Sequence, residues 1–144
     1  MDALYLDSSV FIAYLSKQHF LHDQSVNVVI RLLEQSIPLY TSVPTCSEVI
    51  TTLASQSEDL QKPDGQKRIV QLLSEVCSKL NVTFIESNNP YILSKMFSLQ
   101  EEYRIGGRTA LHTCIMMEHQ IKTVITFDPD FSPLFVTHVI DRYI

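Results

Sequence analysis

Four residues stand where the hydropathy pattern passes from one element to the next: Asp7, Glu48, Thr109 and Asp128. Three of them are carboxylates. Asp7 ends the apolar run Ala3-Leu4-Tyr5-Leu6 and leads into Ser8-Ser9, and Asp128 ends Val124-Ile125-Thr126-Phe127. A carboxylate at a strand's carboxyl end, followed by hydroxyls that can cap a helix, sits where open α/β sheets bind ligands. Carboxylates gathered in one place repel one another unless protons or a cation neutralise them. Magnesium and manganese prefer such hard oxygens and complete their shells with water and substrate phosphate. The pattern points to a hard-cation site assembled from residues distant in sequence.

Positioning these residues requires alternating strands and helices. Strands are expected at 3–7, 38–41, 81–85 and 122–126, and a late β-like run at 134–140 carries Phe135, Thr137 and Val139 on one face. Helices are expected at 9–17, 22–36, from 42–44 through Leu53, and at 66–80, 90–103 and 108–119. In 22–36 the apolar stripe reads Val26, Val29, Ile30 and Leu33. After Pro44, which suits a first helical turn, the stripe reads Cys46, Val49, Ile50 and Leu53, with Glu48 off it. Residues 56–66 are polar, and Pro63-Asp64-Gly65 reads as a turn. Gly106-Gly107 reads as a pair permitting an unusual backbone turn. Strands alternating with helices imply an α/β fold whose parallel sheet is covered on both faces.

The 144 residues fit a single domain spanning 1–144. A content of 45% hydrophobic and 19% charged residues is a globular balance. The net charge of −5 argues against a broadly basic nucleic-acid-binding face, but not against a local basic patch or a metal-bridged phosphate. Cys46, Cys77 and Cys114 are odd in number and widely spaced, which reads as reduced thiols in a cytoplasmic protein. Asp2 and Asp7 bracket a run too short for a secretory signal, and no apolar stretch reaches the roughly 20 residues that span a bilayer.

Four segments in order, Asp7-Ser8-Ser9-Val10-Phe11-Ile12 after its strand, Ser47-Glu48-Val49, Arg104-Ile105-Gly106-Gly107-Arg108-Thr109-Ala110-Leu111-His112 and Ile125-Thr126-Phe127-Asp128-Pro129-Asp130-Phe131, resemble a PIN domain. The resemblance covers essentially the whole chain. It implies a Rossmann-like, three-layer α/β/α sandwich with a central parallel sheet, and a Mg²⁺- or Mn²⁺-dependent ribonuclease acting on RNA. Small members are often toxins of the VapBC type, dimeric and paired with an antitoxin protein. Carried over by position, Asp7, Glu48 and Asp128 match family acids and are the expected catalytic residues and metal ligands. Thr126 matches the hydroxyl two residues before the last acid, and Ser9 a small polar residue near the first. The slot of the third family acid holds Thr109-Ala110. A hydroxyl there binds a cation more weakly than a carboxylate, so weak binding of a single ion is expected. Arg108 beside it either adds a repelling charge or faces substrate phosphate. Hydrolysis would be metal-assisted, with Glu48 holding a metal water or acting as base, and Ser9 and Thr126 orienting the ligands.

Each residue also has a plainer reading. Asp7 can cap the following helix, Glu48 can sit near a helix start for its dipole, and Asp128 and Asp130 can be turn residues. Thr109 can be an N-cap. His112, at i+3 from Thr109, reads first as a core or half-exposed histidine rather than a site residue. His19 and His22 lack a third ligand, and Lys62, Lys67 and Arg68 read as a solvated face. Two alternatives stand beside the ribonuclease. One is an impaired PIN domain that binds RNA or protein without cutting. The other is a phospho-accepting receiver domain, which ranks lower because the strand at 82–85 ends in Glu86 and no lysine follows the strand at 124–127.

Overall fold

The computed structural model describes residues 2–144. Five short strands, β1 (Leu4–Leu6), β2 (Leu39–Ser42), β3 (Thr83–Ile85), β4 (Thr123–Ile125) and β5 (Asp141–Arg142), form one sheet in the order β3-β2-β1-β4-β5. Every pairing is parallel. The helices are α1 (Ser8–Leu15), α2 (His22–Glu34), α3 (Val43–Ala54), α4 (Glu58–Gln61), α5 (Pro63–Lys79), α6 (Ile92–Tyr103), α7 (Gly107–Glu118) and α8 (Ser132–Val136). Among the described residues no helix is long and apolar enough to cross a membrane.

Alternation along the central strand explains the layers. Successive side chains of a strand point to opposite faces. Leu4 and Leu6 enter a core with Val28 and Leu32 of α2, Val49 and Leu53 of α3, and Ile69 and Leu73 of α5. Tyr5 enters a second core with Leu99 of α6, Ala110 and Ile115 of α7, and Leu134 of α8. The sheet is therefore buried on both faces, giving the expected α/β/α sandwich.

Strand order grows outward from β1 to β3 on one side and from β4 to β5 on the other. The reversal lies between β1 and β4, and open α/β sheets bind ligands beyond the strand ends at such a point. Leu6 registers with Ile125, and the Asp7 backbone N–H donates to the Ile125 carbonyl at 3.1 Å. Asp7 and Asp128 thus follow adjacent strands at the place where the chain's direction of winding changes.

Four local expectations need correction. The run 134–140 is not a strand: it forms α8 and a turn through His138 at φ 57, and the fifth strand is Asp141–Arg142. Leu134 and Ile140 are buried while Val136 is 79% exposed, so packing overrides the strand propensity of this apolar run. The inner face of α2 is Ser25, Val28, Val29 and Leu32, leaving Ile30 and Leu33 exposed. That helix is apolar on more than one side, and Ser25 fits inside because its hydroxyl donates to the His22 carbonyl. Pro63-Asp64-Gly65 opens α5 rather than turning, as proline favours a helix's first positions. Gly65 there lets the α4 backbone approach, since a Cβ would collide with the Asp59 carbonyl and Leu60. Finally, Gly106 has an ordinary φ of −74, and the left-handed residue of that loop is Arg104, at φ 54.

Candidate active site

Asp7 is fully buried at the end of β1. Its Oδ2 accepts hydrogen bonds from the Ser9 and Thr126 hydroxyls, both at 2.7 Å, and a longer one from the Ser9 backbone at 3.4 Å, which caps α1. Ser9 Oγ in turn accepts from the Phe127 N–H, and Thr126 Oγ1 from the Asp128 N–H. Two hydroxyls thereby tie the segment after β1 to the segment after β4. Asp128 uses Oδ1 to accept from the Asp130 N–H, so it is a turn residue as well as a site residue. Glu48 comes from α3, which Ser42 caps through the Thr45 N–H and which carries Pro44 in its first turn.

The remaining carboxylate oxygens face one side chain, Arg108. Its Nη2 lies 2.8 Å from Asp7 Oδ1, its Nη1 2.6 Å from Asp128 Oδ2 and its Nε 3.1 Å from Glu48 Oε2. Nη2 also donates to Ser8 Oγ at 2.8 Å. Burial works against the charge on Arg108, but Asp7, Glu48 and Asp128 outweigh it, and the guanidinium holds its proton more firmly than usual. Arg108 occupies the first turn of α7, where a helix dipole disfavours a cation, so the acids and not the helix hold it in place. Of the two roles open to Arg108, repelling a cation or facing phosphate, neither describes this arrangement: it neutralises the acids itself.

A buried polar chain leads into the site from the second core. Tyr5 Oη lies 2.6 Å from Ser42 Oγ and 2.7 Å from His112 Nδ1. His112 Nε2 lies 2.7 Å from Glu48 Oε1. An ionised carboxylate only accepts, so Nε2 carries a proton and donates it. Burial pushes the Glu48 carboxyl up, but the hydrogen bond from His112, then Ser8 and Arg108, leave it below the usual range. His112 is therefore both a core residue and a site residue. The spacing that signals this is i+4 from Arg108, which puts both side chains on one face of α7.

Asp7, Glu48, Asp128, Ser9, Thr126 and Arg108 come together in space. Thr109 is buried in the first turn of α7 but is not its N-cap, a position Gly106 holds, and its hydroxyl does not hydrogen-bond to the three acids. His19 Nδ1 accepts from the Leu21 N–H, and His22 Nδ1 donates to the Ala13 carbonyl, both away from the acids. Lys62, Lys67 and Arg68 are exposed. A groove of about 500 Å³ opens over the acids, bordered by Ser9, Ser47, Glu48, Thr51, Arg108 and Asp128. A separate apolar groove beside Cys46, Val70, Cys77 and Phe84 contains none of them.

The donor set suits a hard divalent cation. Its atoms are carboxylate oxygens, and Glu48 Oε2 is buried without a well-formed hydrogen bond even though Arg108 Nε is near. Asp7, Glu48 and His112 also place one ligand atom each within 4.8 Å of the others, but both ring nitrogens of His112 are already engaged. One guanidinium against three carboxylates leaves negative charge over. An ion held by the same inward-facing oxygens would need the place that Arg108 fills.

The PIN domain family matches residues 4–134 of the chain. No curated protein sequence matches it. Among solved structures, VapC20 of Mycobacterium tuberculosis, a sarcin–ricin loop cleaving toxin, superposes with a TM-score of 0.68 at 16% identity over 90% of this chain and 93% of its own. VapBC2 of Rickettsia felis, solved with a DNA fragment from its promoter, gives 0.67 at 14% identity over 97% and 96%. FitAcB of Neisseria gonorrhoeae gives 0.65 at 16% identity over 98% and 96%. At these identities the likeness is one of fold.

Proposed function

The chain belongs to the PIN domain family, and from that premise we propose that it is a divalent-metal-dependent endoribonuclease, the toxin of a VapBC-type pair. The observation that carries this reading is the convergence of Asp7, Glu48 and Asp128 on a single cation-filled point at the reversal of strand order. Structural neighbours that are toxins, or complexes of the VapBC and FitAB kind, support the toxin assignment. The reading makes Asp7, Glu48 and Asp128 the ligands of Mg²⁺ or Mn²⁺, with Thr109 in the slot of a further acid. It takes residues 1–144 as one domain, working in the cytoplasm as a homodimer held in check by an antitoxin.

A bound ion of this kind polarises a phosphoryl oxygen and lowers the pKa of its water. The chain's own residues supply the rest. Ser9 and Thr126 lock one oxygen of Asp7 and leave the other facing inward. His112 fixes Glu48 Oε1, which aims Oε2 at the centre, where it can orient a water or take its proton. The Ser47, Thr51 and Thr52 side chains along the groove suit sugar and phosphate contacts. Arg108, partly exposed at the mouth, holds its guanidinium on the three acids, and its planar fork could meet phosphate only after leaving them.

The test is cleavage of single-stranded RNA with Mg²⁺ or Mn²⁺, with and without chelator, by the wild type and by Asp7→Asn. Cleavage should require the ion and fall at least about a hundredfold in the variant, because an amide cannot replace an anionic ligand. Circular dichroism should show the fold retained. Metal-indifferent cleavage, or full activity in a folded Asp7→Asn protein, overturns the reading.

A further inference from the structure

We propose that Arg108 is a resident counter-cation that a divalent ion must displace, so that metal loading is coupled to release of its guanidinium into the groove. The proposal rests on the metal-site reading above and adds a competitor built into the chain. Arg108 spends one nitrogen on each inward-facing carboxylate oxygen: Nη2 on Asp7 Oδ1, Nη1 on Asp128 Oδ2 and Nε beside Glu48 Oε2. These are the oxygens left over once the scaffold has claimed the others. Asp7 Oδ2 is held by Ser9 and Thr126, Asp128 Oδ1 by the Asp130 N–H and Glu48 Oε1 by His112. The cage is thus anchored from behind and would keep its shape when the cation at its centre is exchanged.

The way out is open. The Arg108 side chain is 34% exposed and borders the groove, so it can leave without crossing either core. Its position in the first turn of α7 gives it no support from the helix once an ion takes the acids. The apparent affinity for metal is then the intrinsic affinity of the acids multiplied by the small fraction of molecules in which Arg108 is out. The same motion brings the freed guanidinium to the mouth, where a phosphodiester would meet it. The chain would therefore load metal poorly when alone.

Two measurements test the coupling without relying on activity. The first is calorimetric titration of wild type and Arg108→Gln with Mn²⁺. Glutamine keeps a polar group but removes the charge, and the variant should bind Mn²⁺ at least about tenfold more tightly. Equal or weaker binding by a folded variant overturns the proposal. The second keeps the wild-type chain and follows the Arg108 Nε–H resonance by NMR as Mg²⁺ is added. The resonance should move from a protected, hydrogen-bonded position toward that of a solvated arginine in step with saturation. A resonance unmoved at saturating Mg²⁺ overturns the proposal even if Arg108→Gln cannot be purified. Mn²⁺ binding about tenfold tighter in Arg108→Gln, together with no metal-dependent RNA cleavage by the wild type, would retain the counter-cation and discard the nuclease. Cleavage by both proteins with identical metal dependence would do the reverse.

Discussion

Asp7 and Glu48 divide their oxygens in the same way, one toward a scaffold donor and one toward Arg108. For Glu48 the scaffold donor is His112, which is fully buried and joins Tyr5 to the acid. His112→Ala should therefore cost about 2–4 kcal/mol, since it leaves a cavity and takes a partner from both the Tyr5 hydroxyl and the Glu48 carboxylate. Urea denaturation would measure it, and a loss under about 1 kcal/mol would mean that the polar chain is not cooperative. Asp7, Asp128 and their hydroxyls follow strand ends, which mark them in the sequence, whereas Glu48, inside α3, is marked only by the family resemblance. The partnership of His112 with Glu48 was not legible there, because it joins α7 to α3 across 64 residues and only the fold aligns the two helices. The central place of Arg108 was hidden for a similar reason: a charge next to Thr109 says nothing of which way a long side chain reaches.

The elements themselves were largely legible. Periodicity placed four of the five strands and the longer helices, because a parallel sheet buried on both faces needs nearly continuous apolar runs. It failed where apolar residues had no alternation to betray their state, as in 134–140. The competing descriptions of that segment bury different residues, and this makes them separable. A strand would put Phe135, Thr137 and Val139 inward, whereas α8 buries Leu134 and exposes Val136. Leu134→Ala should destabilise the protein by about 2–5 kcal/mol, and Val136→Ser should stay within about 0.5 kcal/mol. Thermal unfolding of the two variants checks this, and small losses in both would restore the strand, which turns Leu134 and Val136 outward together.

At the scale of the whole molecule, an acidic chain proposed to act on a polyanion must bind through few charges. The net charge is −5, and Arg108 is the sole cation among the described residues that line the groove over the acids. A single-stranded RNA should then release few counterions on binding. The logarithm of its binding constant should fall with the logarithm of salt with a slope of about −0.7 to −1.4, the mark of one or two phosphate contacts. Fluorescence anisotropy at several salt concentrations would give the slope, and a value steeper than about −3 would reveal a basic face elsewhere.

The pairing of Leu6 with Ile125 sets a timetable for biosynthesis. As the ribosome extends the polypeptide, β1 emerges early and has no β4 beside it until nearly the entire sheet has been translated. The hydroxyl clasp between Ser9 and Thr126 joins residues 117 positions apart and must wait for the same strand. A truncated product that stops short of residue 123 lacks β4, Thr126 and Asp128 together, and so cannot complete the group of three acids.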